Sequence, residues 1–290
     1  MLRGLLVVNA FLRTTKYDDL YQTFLASAKK QTIYLTVATN EELACKVDTA
    51  AFHPDDYDFV LFWDKDIPLA MQLEQRGLPT FNSADSIFRC DDKSLTYLSL
   101  KNQPIPMPRT ILAPKTFSAV GYTHLGFVEE AAQSLGFPLV VKECFGSFGQ
   151  QVYLLNDINA LKEKVLTLQG TPFLFQELIR ASFGRDIRIN VIGGRVAASL
   201  LRTSTDGDFR SNLSRGGSMQ PYSPTAEEAA LAILAARELG LQFAGVDVLF
   251  GEEGPILCEV NSNPHFKTTL TCTGVNMAEE ILRHIADTLR

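Results

Sequence analysis

The sequence has little that would suit a thiolate cluster, a disulfide scaffold or a membrane protein. Its five cysteines, Cys45, Cys90, Cys144, Cys258 and Cys272, form no Cys-x-x-Cys pair. An odd, scattered set of this kind reads as small buried hydrophobes in a reducing cytosol, so a cytoplasmic location is expected. The four histidines, His53, His124, His265 and His284, lack metal-ligand spacing. No apolar run approaches the ~20 residues of a membrane span. The short apolar run from Met1 to Ala10 turns polar at Arg13 to Asp19, and reads as a first strand, not a signal peptide. Positive charge is not in excess either. The net charge of −6 argues against a dedicated nucleic-acid binder, while leaving room for a local basic groove. Repeats and low-complexity segments are absent. What is present is ordinary for a globular chain: 46% hydrophobic and 21% charged over 290 residues, enough for two or three lobes.

Up to residue 88 the chain alternates strand-like stretches (Leu5 to Val8, Ile33 to Val37, Phe59 to Phe62) with helix-like ones (Leu20 to Lys29, Leu69 to Gln75). That alternation predicts a small parallel α/β domain over 1–88. A helix is expected over Lys93 to Leu100. The proline-rich run from Gln103 to Thr110 then reads as an extended connector, because proline cannot sit in a helix interior. A central lobe is expected over 89–171, with strands at Leu139 to Glu143 and Gln151 to Leu155 and helices near 126–135 and 157–168. A strand-rich C-terminal lobe is expected over 172–290. Its clearest helix starts at the capping box Thr225-Ala226-Glu227-Glu228 and ends at Gly240.

The most informative stretch runs from Gly245 to Asn261. Two apolar, β-branched segments flank Gly251-Glu252-Glu253-Gly254-Pro255. A five-residue hairpin loop would set Phe250 opposite Ile256 and Asp247 opposite Glu259. Asn261, two residues on, points to the same side. Like charges directly opposite on a sheet destabilise it, so two carboxylates and an amide on one face call for a cation. Oxygen ligands of this kind suit Mg²⁺ or Mn²⁺. A strand-end aspartate, a solvated edge glutamate and a turn asparagine describe the same residues equally well in isolation.

Three further motifs bear on chemistry. Lys142 ends a strand and is followed by Gly146-Ser147-Phe148-Gly149, a loop whose backbone N–H groups can approach phosphate oxygens. A glycine-rich hairpin turn beside a solvated lysine fits as well. Phe175-Gln176-Glu177-Leu178-Ile179 resembles a hinge strand able to meet a purine. In Gly184-Arg185-Asp186-Ile187-Arg188-Ile189-Asn190, alternation puts Asp186, Arg188 and Asn190 on one face. Arg202, Arg210 and Arg215 cluster with Ser211, Asn212 and paired glycines, and arginine clamps anions through a planar fork of donors.

Taken in order, Asp92-Lys93, the Lys142 loop, Glu177-Leu178-Ile179, Asp186-Ile187-Arg188, Asp208-Phe209-Arg210-Ser211-Asn212 with Arg215-Gly216-Gly217, Gly245-Val246-Asp247 and Glu259-Val260-Asn261 resemble the RimK-like branch of the ATP-grasp ligases. The resemblance covers roughly residues 90 to 290. It implies an ATP-grasp fold, two α+β lobes enclosing ATP behind an N-terminal α/β domain. It implies that Lys93 and Lys142 contact phosphates and that Gly146, Ser147 and Gly149 close over them. Gln176, Glu177, Leu178 and Ile179 would meet the adenine. Asp186 and Arg188 would lie in the nucleotide site, with Arg210, Ser211 and Asn212 along the triphosphate. Arg202 and Arg215 would act with Lys142 at the transferred phosphoryl group. Asp247, Glu259 and Asn261 match the metal ligands, for two Mg²⁺ or Mn²⁺ ions.

The implied activity is ATP-dependent amide formation through an acyl phosphate, adding glutamate or a similar amino acid to a protein tail, a carrier protein or a small molecule. A dipeptide or small-molecule ligase, and a nucleotide-binding regulator without turnover, are the alternatives. The resemblance also implies a homo-oligomer. The chain departs from RimK after Asn261, where Asn263-Pro264-His265-Phe266-Lys267-Thr268 is closer to LysX-type ligases. His265 and Lys267 are therefore candidates to bind a substrate carboxylate. A simple turn after the strand is the competing reading.

Overall fold

The protein is described by a computed structural model covering residues 1–12, 14–44, 56–146, 149–211 and 217–290. The first segment is β1 (Arg3–Val8), α1 (Thr15–Lys30), β2 (Tyr34–Thr39), β3 (Phe59–Phe62), α2 (Ile67–Gln75) and β4 (Thr80–Phe81). The four strands form a parallel sheet in the order β2-β1-β3-β4. Leu5 to Val8 and Phe59 to Phe62 are buried throughout, as apolar runs covered on both sides must be. Two short helices follow, α3 (Ala84–Asp91) and α4 (Lys93–Leu100). The Ser83 side chain caps α3 and the Asp92 side chain caps α4, accepting backbone N–H groups that would otherwise lack partners.

The middle of the chain holds β5 (Thr110–Leu112), α5 (Gly126–Leu135), β6 (Leu139–Glu143), β7 (Val152–Leu155), α6 (Ile158–Thr167) and β8 (Phe173–Glu177). Their antiparallel sheet runs β5-β8-β6-β7 and carries α5 and α6 on a core of its own. The last segment comprises β9 (Arg185–Ile192), β10 (Arg195–Thr203), β11 (Ser218–Pro221), α7 (Ala226–Glu238), β12 (Phe243–Phe250), β13 (Pro255–Asn261), α8 (Lys267–Thr273) and α9 (Met277–Thr288). Its sheet is antiparallel, in the order β11-β10-β9-β12-β13. The capping box at Thr225 forms as the sequence implies, and Gly240 takes the left-handed conformation just past α7 (φ +73°).

The N-terminal sheet and the C-terminal lobe share one core. Phe24 of α1 and Trp63 pack against Phe243 of β12, Phe266 and the apolar face of α9. Among the described residues, no helix is long and apolar enough to cross a membrane.

Candidate active site

The hairpin β12–β13 carries the central pair of acids. Asp247 stands opposite Glu259 and Gly245 opposite Asn261, as expected. The route to that register differs from the sequence reading. Phe250 pairs with Pro255 and Leu249 with Ile256, so the turn holds four residues, Gly251 to Gly254, and not five. Between Val248–Leu257 and Asp247–Glu259 the ladder shifts by one, leaving Cys258 as the extra residue of a β-bulge. The shorter turn and the bulge cancel. The bulge also brings Cys258 into the cleft beside Glu259, whereas Leu257 and Val260 face the core.

Charges alternate across neighbouring strands on the cleft side of this sheet. Arg188 on β9 pairs with Asp247 through both carboxylate oxygens, its Nη2 reaching Oδ2 at 2.9 Å. Arg202 on β10 makes two 2.6 Å bonds to Asp186, opposite it on β9, and reaches Asp247 at 3.0 Å. Asp186 is 8% exposed and Asn190 1%, so this alternating face is not a solvated exterior. Burial would push the Asp247 carboxyl up, but the Arg188 and Arg202 guanidiniums hold it below the usual carboxylate range.

The central lobe supplies the opposing wall. Lys142 projects from β6 to within 3.7 Å of the Cys258 sulfur. Burial and nearby acidic groups push the Cys258 thiol up to about 11, although Lys142 opposes the shift. Near neutral pH this contact is therefore between an ammonium and a thiol. Lys142 itself is raised: burial works against its charge, and neighbouring Cys258, Tyr97 and Glu259 outweigh that. Lys93 lies 3.8 Å from Glu259 and 3.4 Å from the Gly146 carbonyl. The Gln176 side chain bonds Thr110, and the Glu177 carboxylate is held by Arg109 at 2.7 and 2.8 Å. What the Glu177–Ile179 segment offers the cleft is therefore mainly backbone and apolar surface. Arg210 does not point freely at the cleft. Asp208 grips its guanidinium, which donates to the Gly149 and Val152 carbonyls at 2.9 Å each. That bond ties the C-terminal lobe to the glycine loop.

These walls enclose a cleft of about 1090 Å³. Lys142, Gly146, Gly149, Gln176, Glu177, Leu178, Ile179, Asp186, Arg188, Arg202, Arg210, Ser211, Asp247, Glu259, Asn261, His265 and Lys267 all line it. Lys93 sits just behind, against Glu259. Ser147, Asn212 and Arg215 lie outside the described residues. Sequence reasoning missed Cys258, whose bulge has no sequence signature. It also missed the contribution of the N-terminal domain, where Asn9, Lys16, Tyr17, Asp64 and Lys65 line the same cleft. The break to Trp63-Asp64-Lys65-Asp66 directly after the buried strand β3 was the available signal, since parallel strands deliver functional groups at their C-terminal ends.

Among the described residues, no three His, Cys, Asp or Glu side chains converge as a metal cluster. The candidate donors are two carboxylates and an amide. Asn261 donates its Nδ2 to the Gly245 carbonyl at 3.3 Å, which leaves its carbonyl oxygen for a ligand. Among the described residues, the ion pair of Glu259 is with the Lys93 ammonium at 3.8 Å. Asp247 already accepts three guanidinium hydrogen bonds or contacts. Four cations (Lys93, Lys142, Arg188, Arg202) thus face three carboxylates (Asp186, Asp247, Glu259). This set fits a divalent ion that arrives with phosphate oxygens, and suits a bare ion poorly.

A profile of the RimK-like ATP-grasp domain matches residues 90–285. The chain is 37% identical over 205 residues to N-acetylaspartylglutamate synthase A of Homo sapiens, covering 70% of this chain and 51% of that protein, so it spans about half the length of that relative. It is 37% identical over 216 residues to a probable alpha-L-glutamate ligase of Syntrophotalea carbinolica, covering 74% and 69% of the two. Among solved structures, a RimK domain ATP-grasp protein from Sphaerobacter thermophilus shares the fold, with a TM-score of 0.74 at 21% identity over 97% of this chain and 98% of the other.

Proposed function

The chain belongs to the RimK-like ATP-grasp family, and from that premise we propose that it is an ATP-dependent carboxylate–amine ligase whose incoming amine is glutamate or a similar acidic amino acid. The observation that carries this reading is the charge arrangement in one cleft. The Asp247–Glu259 pair, with Asn261 beside it, faces Lys142 of the central lobe, and Lys93 lies 3.8 Å from Glu259. The names of the two relatives support glutamate as the amine.

In this reading a substrate carboxylate oxygen attacks the γ-phosphorus of ATP, and the bond to the bridging oxygen of ADP breaks. The amine, after its ammonium form gives one proton to solvent, attacks the acyl carbon, the carbon–oxygen bond to phosphate breaks, and nitrogen gives up a second proton as inorganic phosphate leaves. A free carboxylate is a poor electrophile, and phosphorylation supplies its leaving group. The chain's own contribution is positioning and charge neutralisation. Lys142, held by Cys258, and Lys93, held near the loop at Gly146, meet phosphate oxygens. Arg202 pairs with both Asp186 and Asp247, and in this reading it stabilises charge on the phosphoryl group in transfer. Arg215 and Asn212 are assigned to the same end of the triphosphate by family resemblance alone. Asp247, Glu259 and Asn261 would hold Mg²⁺ or Mn²⁺. When bound, the ion screens phosphate charge and orients the nucleotide.

The test is incubation with ATP, Mg²⁺, L-glutamate and a panel of carboxylates, including N-acetyl-L-aspartate, citrate and peptides ending in glutamate. Phosphate release and product mass are followed together. Phosphate release matched by a mass gain of one glutamate supports the reading. Tight ATP binding with no release across the panel and cell extract would instead indicate a nucleotide-binding regulator.

A further inference from the structure

The end of the cleft built by the N-terminal domain lies outside the matched family domain, and its side chains are arranged as two neighbouring corners of opposite character. The first corner is acceptor-rich. Asp64, two residues past the end of β3, is 8% exposed. Its carboxylate accepts the Lys65 backbone N–H at 2.7 Å and the Asn9 amide at 3.2 and 3.4 Å. Among the described residues no cation pairs with it, and the Lys65 ammonium is directed to Asp91. Asn263, two residues past Asn261, donates its Nδ2 to the Asp64 carbonyl at 3.0 Å, while its own Oδ1 is buried without a donor. A buried carboxylate is normally paired with a cation, and this wall is short of donors.

The second corner is cationic. Lys16, Lys267 and Arg188 all act on His265, whose Nε2 lies 3.4 Å from the Lys16 carbonyl. The Tyr17 ring stands edge-on to His265 at 6.3 Å and leans on Tyr21 at 6.5 Å. Asn263, which bonds the Asp64 carbonyl, lies two residues before His265, so the two corners are neighbours along one wall.

We propose that this wall is the subsite for the attacking amine: Asp64, with Asn9 and Asn263 behind it, receives the ammonium of an amino-dicarboxylic acid, and Lys16 and Lys267 receive its carboxylates. The inference rests on the ligase reading above and deepens it by naming where the amine binds and what selects it. An ammonium supplies the donor that Asp64 and Asn263 lack. Both lysines line the cleft, Lys267 beside Asp19. Two carboxylates and one ammonium on the ligand match the charges of the two lysines and the one aspartate of the wall. Because Asn263 follows the metal-side strand directly, the subsite adjoins the place where an acyl phosphate would form. Amine specificity then resides largely in residues 1–88 and in the turn after β13.

The test is direct binding to the full chain, with Mg²⁺ and a non-hydrolysable ATP analogue present. L-Glutamate and glutarate differ only in the ammonium. Each is titrated calorimetrically into wild type, Asp64→Asn and Lys267→Ala, with the melting temperature as a control for folding. Wild type is expected to prefer L-glutamate by ~10-fold or more, the scale of one charge-assisted hydrogen bond. Asp64→Asn should bring the two ligands to within ~2-fold of each other, and Lys267→Ala should weaken both while keeping the preference. A wild type that binds neither ligand, or that prefers glutarate, overturns the proposal even if Asp64→Asn does not fold. So does an Asp64→Asn preference equal to wild type. The ligase reading fails separately. A wild type that binds L-glutamate with the expected preference, yet forms no hydroxamate from ATP, hydroxylamine and the carboxylate panel, retains the amine subsite without carboxylate activation.

Discussion

Arg202 and Asp247 meet at 3.0 Å across β9, the strand that separates theirs. One guanidinium therefore serves two carboxylates, Asp186 beside it and Asp247 beyond. Replacing Arg202 by Met would leave Asp186 buried without its partner. Loss of one member of a buried ion pair costs about 3–5 kcal/mol, and urea denaturation should show a loss of that order. Arg202→Lys keeps the charge but not the fork, and should fall between the two. Turnover, followed by phosphate release, should drop by ~10²-fold or more in the Met variant.

The surplus of cations around Asp247 predicts how the metal binds. Mn²⁺ titrated into the nucleotide-free protein should show no tight site by electron paramagnetic resonance. Adding ATP should create one. Asp247→Asn should keep or increase nucleotide affinity, because it makes the site more positive, while phosphate release falls by ~10²-fold or more. Tight Mn²⁺ binding without nucleotide would contradict the charge arrangement.

His265 gives the fold a pH dependence in the mildly acidic range. Burial first, then the charges of Lys16, Lys267 and Arg188, push its imidazole from 6.5 down to about 4. The unfolded chain therefore binds this proton more readily than the folded one. The stability it contributes is complete above 6.5 and is lost as pH falls from about 6.5 to about 4. Allowing for solvent screening of a partly exposed ring, the loss is about 2 kcal/mol. Melting temperatures recorded between neutrality and the lower end of that window should fall in wild type, and His265→Gln should flatten the slope.

Arg210 joins the two lobes through the Gly149 and Val152 carbonyls. Arg210→Ala should loosen the glycine loop. Limited proteolysis near Gly146 to Gln151 should accelerate, and KM for ATP should rise by roughly 10-fold, as expected for two lost charge-assisted bonds. A variant with unchanged cleavage and unchanged KM would show that the tie is incidental.

The lattice around Asp247 was partly legible because strand period fixes which residues share a face. Asp186, Arg188 and Asn190 could be grouped by alternation alone, and Asp247 could be set opposite Glu259. The pairing was reached through a wrong loop length, and a bulge at Cys258 compensated for it. Bulges arise from tertiary demands on a strand and leave no periodic trace. Nor could alternation say that Arg188 and Arg202 both converge on Asp247, since this depends on the order of β10, β9 and β12 in the sheet. The contribution of Asp64 and Lys16 was hidden for the same reason. It requires the first sheet to pack on the last one, a contact between residues nearly two hundred positions apart, such as Asn263 and Asp64.

The shared core of α1, Trp63, Phe243, Phe266 and α9 has a kinetic consequence. The central lobe's core draws its described members only from Ile111 to Phe175 and shares none with the other two lobes, so opening of the cleft would amount to one jaw swinging from a fixed base. Both corners of the amine wall belong to that base, on either side of its fused core. They keep their spacing whether the jaw is open or shut. Arrival of the amine need not wait for the nucleotide, and initial-rate patterns should show random entry of glutamate and ATP, not a compulsory sequence.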